Sequence, residues 1–171
     1  MKIVIASDIH GSGYYAQKII DVVNAEKAEK LLLLGDILYH GPRNPLPEGY
    51  APQKVAEILG NVKDKIICVR GNCDAEVDQM VLPFCIMNEI AVFAGENFTL
   101  YLTHGHKYNP ENPLPAPNGS IVLFGHTHVP FDEVINGVRY INPGSASLPK
   151  DCSDNSCLVF DGNEFKRVVL K

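Results

Sequence analysis

Five short segments of the chain carry side chains suited to divalent cations: Asp8-Ile9-His10, Gly35-Asp36, Gly71-Asn72, His104-Gly105-His106 and Gly125-His126-Thr127-His128. Their donors are carboxylate, imidazole and amide oxygen, with no thiolate in the main set, a combination that suits Mn²⁺, Zn²⁺ or Fe²⁺. Asp8, His10, Asp36, Asn72, His104, His126 and His128 are too many for one tetrahedral ion and suit two ions that share a carboxylate. Two cations ~3.5–4 Å apart lower the pKa of a water between them and stabilise an in-line displacement at phosphorus.

Taken singly, most of these segments have a plainer explanation. Asp-x-His and Gly-Asp after a strand are ordinary turn and capping sequences. Gly-Asn is a common carrier of positive φ. Gly-His-Thr-His says more on its own, because two imidazoles two positions apart rarely serve a core. The signal is the recurrence of all five, each directly behind an apolar run.

Those runs are the elements that must bring the ligands together. KIVIA (2–6), KLLLL (30–34) and KIICV (65–69) read as short buried strands, and helical patterns follow near 14–27 and at 52–60, which indicates parallel βαβ units. The second half is strand-rich, with runs at 90–94, 98–103, 120–124, 131–135, 138–141, 156–160 and 165–170. Asn136-Gly137 and Asp161-Gly162-Asn163 are hairpin signals. Two packed sheets with helices outside follow, in one domain over 1–171. In open α/β sheets ligands gather at the carboxyl ends of the strands, so Asp8 and His128 can converge across the sequence. The Pro- and Gly-rich stretches 39–52 and 107–119 read as surface loops, the first a lid over the pocket. Asp74, Glu76 and Asp78 read as the acidic start of a short helix.

Composition narrows the setting. The apolar share is 46 % and no apolar run approaches the length of a membrane span, so a soluble chain is expected. The start MKIVIASDIHGS is too short in apolar residues and too polar for a signal peptide. Five scattered cysteines without Cys-x-x-Cys suggest reduced thiols and a cytoplasmic protein. A net charge of −5 argues against long nucleic acid as a partner, though not against a phosphate ester. Nothing marks an interface, and self-association stays open.

The motif order resembles the calcineurin-like metallophosphoesterase superfamily, whose pattern runs D-x-H, G-D, G-N-H, H and G-H-x-H. Here it runs Asp8-Ile9-His10, Gly35-Asp36, Gly71-Asn72-Cys73, His104 and Gly125-His126-Thr127-His128, and Asn142-Pro143-Gly144-Ser145 resembles a further loop of small members. Length and the loop YHGPRNPLPEGYAP are most similar to the YfcE-type phosphodiesterases. The resemblance implies a four-layer α-β-β-α sandwich. It implies one metal on Asp8, His10, Asp36 and His128, and a second on Asp36, Asn72, His104 and His126. Asp36 would then bridge two divalent ions, Mn²⁺ first and Zn²⁺, Fe²⁺ or Ni²⁺ as alternatives. The implied reaction is hydrolysis of a small phosphodiester by a hydroxide between the metals, with Asp36, Asn72 and His104 nearest the chemistry.

The third motif departs from the phosphatase branch of that superfamily. There it carries a His as general acid, oriented by an Asp beside an Arg; those positions are here Cys73, Tyr39 and His40. An ordinary thiol is a poor proton donor for an alkoxide at neutral pH, which favours diesters over alkyl monoesters. Cys73 then faces the substrate, and His40, Arg70 and His106 are further candidates for phosphate contacts. Solvated loop histidines and a structural ion pair are the plainer readings of those three. The alternatives are a monoesterase or nuclease on the same site, or a non-catalytic scaffold of the retromer type.

Overall fold

Strands that are apolar on both faces need a layer on each side, and the sequence supplies two kinds of layer. In the computed structural model, which describes residues 1–171, ten strands form two five-stranded sheets. They are β1 (Ile3–Ala6), β2 (Lys30–Leu33), β3 (Ile66–Cys68), β4 (Ile90–Ala94), β5 (Thr99–Thr103), β6 (Ile121–Leu123), β7 (Phe131–Ile135), β8 (Val138–Asn142), β9 (Ser156–Phe160) and β10 (Phe165–Val169). The helices are α1 (Gly13–Ala25), α2 (Pro52–Gly60) and the single turn α3 (Glu76–Gln79).

The first sheet has the order β10-β9-β1-β2-β3, with β1, β2 and β3 parallel and β9 and β10 antiparallel. The second has the order β4-β5-β6-β8-β7, in which β5, β6 and β8 are parallel. The β7–β8 hairpin turns at Asn136 and Gly137, whose φ values of +51° and +80° match the two left-handed positions of a type I′ turn.

Side-chain alternation divides the core between the layers. Val4 and Ala6 of β1 and Leu31 and Leu33 of β2 face α1, which meets them with Ala16, Ile19, Ile20 and Val23 at helical spacing. Ile3, Ile5 and Leu32 point the other way, into the space between the sheets, and meet Leu100, Leu102, Leu123 and Ile141. Truncating a fully buried side chain here, such as Leu32, would cost about 2–5 kcal/mol. Ser12 starts α1 by accepting the Tyr15 amide on its hydroxyl, 3.1 Å away.

The architecture is the expected α/β sandwich of two stacked sheets flanked by helices. Over the outer face of the second sheet the cover is the segment 107–119, which lays Leu114, Tyr108 and Ala116 on Val122, Phe124 and Tyr140. Prolines at 110, 113, 115 and 117 keep that segment from forming a helix. No helix is long and apolar enough to cross a membrane.

Candidate metal centre

The five motif segments follow the carboxyl ends of β1, β2, β3, β5 and β6, and the sandwich turns all five toward one edge. The turns are tight. Asp8, His10, Asp36, His126 and His128 all have φ between +49° and +67°, five of the nine non-glycine residues with positive φ. Left-handed backbone at such residues costs energy and persists where the surroundings over-determine it, as at functional sites. Two glycines make room: a Cβ on Gly71 would lie 2.0 Å from Asp36 Oδ1, and one on Gly125 1.9 Å from Ser7 Oγ.

Three imidazoles are locked by carbonyls. His10 Nδ1 donates to Tyr39 O at 2.8 Å, His104 Nδ1 to Leu34 O at 2.7 Å and His128 Nδ1 to Leu148 O at 2.6 Å. Each proton is thereby held on the outward nitrogen, and each Nε2 turns inward toward carboxylates. His10 Nε2 lies 3.6 Å from Asp8 Oδ1 and 3.6 Å from Asp36 Oδ2, while His104 Nε2 lies 3.5 Å from Asp36 Oδ2. His128 Nε2 is 3.3 Å from Asp8 Oδ1.

The residues fit divalent cations on a specific observation. Asp8 Oδ1 is buried and has no hydrogen-bond donor, although Asp8 Oδ2 accepts from Ser7 Oγ at 2.6 Å and from the His126 amide at 3.0 Å. An unpaired buried carboxylate oxygen is costly, and it faces the inward nitrogens of His10 and His128. Ligand atoms of Asp8, His10 and His128 lie within 4.8 Å of one another, as do those of Asp8, Asp36 and His104. Burial drives the Asp8 and Asp36 carboxyls up, yet the imidazoles and the charge beside them hold both below the usual carboxylate range. Both are ionised and ready to bind a cation. Burial opposes protonation of His104, but Asp36 and Asp8 outweigh it and raise this imidazole to about 9. The cluster thus attracts positive charge, which protons meet when no metal does.

Asn72 and His126 stand at the mouth and line the open pocket of ≈ 730 Å³. Asn72 Oδ1 is 3.0 Å from His104 Nε2, and the His126 ring packs edge-on at 5.1 Å from that of His104. Burial and the charge on His104 lower the pKa of His126, keeping it neutral as a ligand must be. Cys73 also lines the pocket, and its Sγ lies within 4.8 Å of ligand atoms of His10 and Asp36. Burial, then the Asp36 charge, pushes this thiol up to about 12.

The other sequence candidates are placed differently. His106 lies beside the imidazoles, 5.4 Å from His104 and 6.1 Å from His126 between ring centres. His40 is wedged edge-on between Tyr39 and Tyr50 and does not line the pocket. Arg70 donates from Nε to Asp74 O at 3.1 Å and faces Glu76 at 3.6 Å, also outside the pocket lining. The loop 39–52 supplies Tyr39, Gly41, Pro42, Arg43 and Asn44 to the pocket wall, so its first part borders the site.

Asp74 requires a correction. It does not begin the short helix, which starts at Glu76 with Asp78 accepting the Ala75 amide. Asp74 is instead buried and accepts the amides of Asp36, Ile37 and Gly71 at 2.7–2.8 Å, tying the second motif loop to the third. Its place directly after Gly71-Asn72-Cys73 was the available signal. Ser145 and Ser147 do similar work for the first motif: both hydroxyls donate to Asp8 O, at 2.8 and 3.1 Å. Asn142 donates to Gly125 O at 2.7 Å and braces the fifth segment. Arg43 and Lys150, two cations in the pocket lining, carry no sequence signal because neither belongs to a motif.

A family model described as the calcineurin-like phosphoesterase superfamily domain matches residues 1–164. Phosphodiesterase YfcE of Escherichia coli is 46 % identical over 171 residues, covering 99 % of this chain and 92 % of its own length. The structure of YfcE, a phosphoesterase from E. coli, superposes with a TM-score of 0.94 at 41 % identity over 100 % of both chains. Vps29 of Entamoeba histolytica complexed with Zn²⁺ has a TM-score of 0.56 at 21 % identity over 100 % of both chains, which shows a shared fold.

Proposed function

This chain belongs to the calcineurin-like phosphoesterase superfamily, and from that premise we propose that it is a hydrolase of small phosphodiesters that works with two divalent cations. The single observation that carries the reading is the inward facing of His10 Nε2 and His128 Nε2 on Asp8 Oδ1, a buried carboxylate oxygen with no donor. Bound there, the cations would supply an activated water and the positive charge that a phosphoryl transition state needs. Asp36 is the residue suited to serve both positions, since its Oδ2 is about equally far from His10 Nε2 and His104 Nε2, at 3.6 and 3.5 Å. Carboxylate, imidazole and amide oxygen donors beside a thiol that stays protonated favour Mn²⁺, with Zn²⁺, Fe²⁺ and Ni²⁺ as alternatives.

The protein's own residues then determine which ester reacts. Asn72 and His126 stand at the mouth, where a phosphate oxygen would arrive, and Arg43 and Lys150 in the same lining would offset the charge of an anionic substrate. Cys73 holds its proton too tightly to hand it to an alkoxide, so the leaving group must depart on its own. That favours diesters with acidic leaving groups over alkyl monoesters. Five free cysteines suit a reducing compartment, and the cytoplasm is our expectation.

The test is a panel of aryl diesters, cyclic nucleotides, nucleotides and sugar phosphates, each with Mn²⁺, Zn²⁺, Ni²⁺ or Mg²⁺ added, alongside the metal content per chain. Aryl diesters should turn over fastest, with about two metals bound. A protein that binds no metal and hydrolyses nothing would instead be a scaffold.

A further inference from the structure

Beside the metal pocket lies a second depression of ≈ 380 Å³, lined by Leu38, Tyr50, Pro52, Ala56, Val77 and Val81. Tyr39 lines both cavities and forms the wall between them. That wall is fixed. The Tyr39 carbonyl holds His10 Nδ1 at 2.8 Å, the Tyr39 ring packs edge-on against His40 at 4.8 Å, and His40 packs edge-on against Tyr50 at 5.4 Å. Tyr39 thus joins the metal ligand His10 to a cleft that also carries the Tyr50 ring. Val77 and Val81, also in the lining, are 63 % and 60 % exposed although apolar.

We propose that this cleft is a substrate subsite that takes one flat, apolar arm of the phosphodiester, an aryl or heteroaromatic ring. The proposal rests on the phosphodiester reading above. Three observations select this occupant. The rings of Tyr39 and Tyr50 offer faces and edges to an aromatic group. None of the lining residues is basic and Asp78 is among them, so a second phosphate or a carboxylate is disfavoured. Gln53, also in the lining, offers an amide to a ring heteroatom. With the phosphate at Asn72 and His126, a diester's two arms must leave in different directions, and the cleft receives the one that crosses Tyr39.

The experiment compares diphenyl phosphate with dimethyl phosphate, titrated calorimetrically into the protein loaded with Zn²⁺. The same titrations are followed by the methyl NMR signals of Ala56, Val77 and Val81. Diphenyl phosphate should shift those three signals and dimethyl phosphate should not. Ala56→Trp, which fills the cleft, should raise the Kd ratio of diphenyl to dimethyl phosphate about tenfold, the expected effect of losing one buried ring. Val81→Gln, at an exposed position that cannot disturb folding much, should move the ratio in the same direction. An unchanged ratio in both variants overturns the subsite. So would a dimer that dissociates in Val77→Lys, because the cleft would then be an interface between copies. Failure of the two readings is separable. Diphenyl phosphate bound in the cleft without hydrolysis of any diester removes the hydrolase and keeps the subsite, whereas diester turnover with an unmoved ratio does the reverse.

Discussion

His10 and His128, 118 positions apart in the chain, face each other with their Nε2 atoms 3.2 Å apart. Both rings donate Nδ1–H to a carbonyl, of Tyr39 and of Leu148, so in the neutral state two lone pairs meet across that gap. Lone pairs at that distance repel, and a cation between them removes the repulsion. Adding Mn²⁺ to protein stripped with a chelator should therefore raise thermal stability. At a hundredfold excess over Kd the gain is about 2.7 kcal/mol, which for a chain of this size corresponds to roughly 5–10 °C in Tm. Differential scanning calorimetry with and without chelator measures it. A Tm that ignores Mn²⁺ would count against a metal centre.

Without metal, protons take that role, and this sets a pH dependence. The folded protein raises His104 from 6.5 to about 9, with burial opposing and Asp36 and Asp8 prevailing. A proton held more tightly by the folded chain stabilises the fold fully below pH 6.5, and the contribution is lost as pH rises through about 9. Asp8, held well below 3.8, acts in the opposite sense, with a contribution present above 3.8 that is lost as pH falls further. Metal-free protein should thus be most stable on the acid side of neutrality and weaken toward alkaline pH. Metal affinity should rise over the same window, because ligands must shed protons to bind. Denaturation in chelator from about pH 5 to 10 tests the sign; a flat profile between neutrality and pH 9 would sink it.

Asp36→Asn should abolish turnover. The change keeps the shape but removes the charge that faces both His10 and His104. Its Oδ1 also accepts the Cys73 amide at 2.8 Å, so the carboxylate both supplies charge and positions the third motif. Residual kcat/KM above ~10 % of wild type with metal in excess would show that Asp36 is not shared.

Asp74→Ala should destabilise the protein by about 3 kcal/mol or more, because three buried amides lose their acceptor. The amides belong to Asp36, Ile37 and Gly71, so the loops carrying Asp36 and Asn72 should loosen together. Urea denaturation gives the stability loss. Metal titration should show weaker binding in the folded fraction, whereas wild-type affinity would mean the tie serves folding alone.

Much of this arrangement was legible in the sequence because local patterns determine it. β-branched and leucine runs, each ending in a ligand-type turn, gave the strands within two residues and put Asp8, Asp36 and His126 on one edge. Asn136-Gly137 gave its hairpin for the same local reason. What stayed hidden depends on distant partners. Asp74 looks like a helix-start acid until the amides of Asp36 and Ile37, from a loop 37 or more positions away, are seen to converge on it. Arg70 read equally well as a phosphate clamp, and only its neighbours Asp74 and Glu76 tie it outside the pocket lining. The cover over the second sheet is local in origin as well, since the four prolines in 107–119 mark that segment as a loop.

Cys73 should set the choice between ester types. It lines the pocket, its Sγ lies within ligand distance of His10 and Asp36, and burial with the Asp36 charge pushes its thiol up to about 12. So weak an acid cannot protonate a departing alkoxide near neutral pH, and alkyl monoesters, whose leaving groups need that proton, should react poorly. Aryl diesters, whose leaving groups depart unaided, should react well. Cys73→His puts an imidazole at this position. Tyr39 would not orient it as a carboxylate does, and its side chain forms the pocket wall nearby. A well-placed general acid is worth ~10²–10⁴-fold, so even a badly aimed imidazole should raise alkyl monoesterase activity by about an order of magnitude. The measurement is kcat/KM for one alkyl monoester and one aryl diester, in wild type and variant, at matched metal occupancy. A monoester-to-diester ratio that does not move would take specificity away from position 73 and assign it to pocket shape, with the Tyr39 wall the next residue to change.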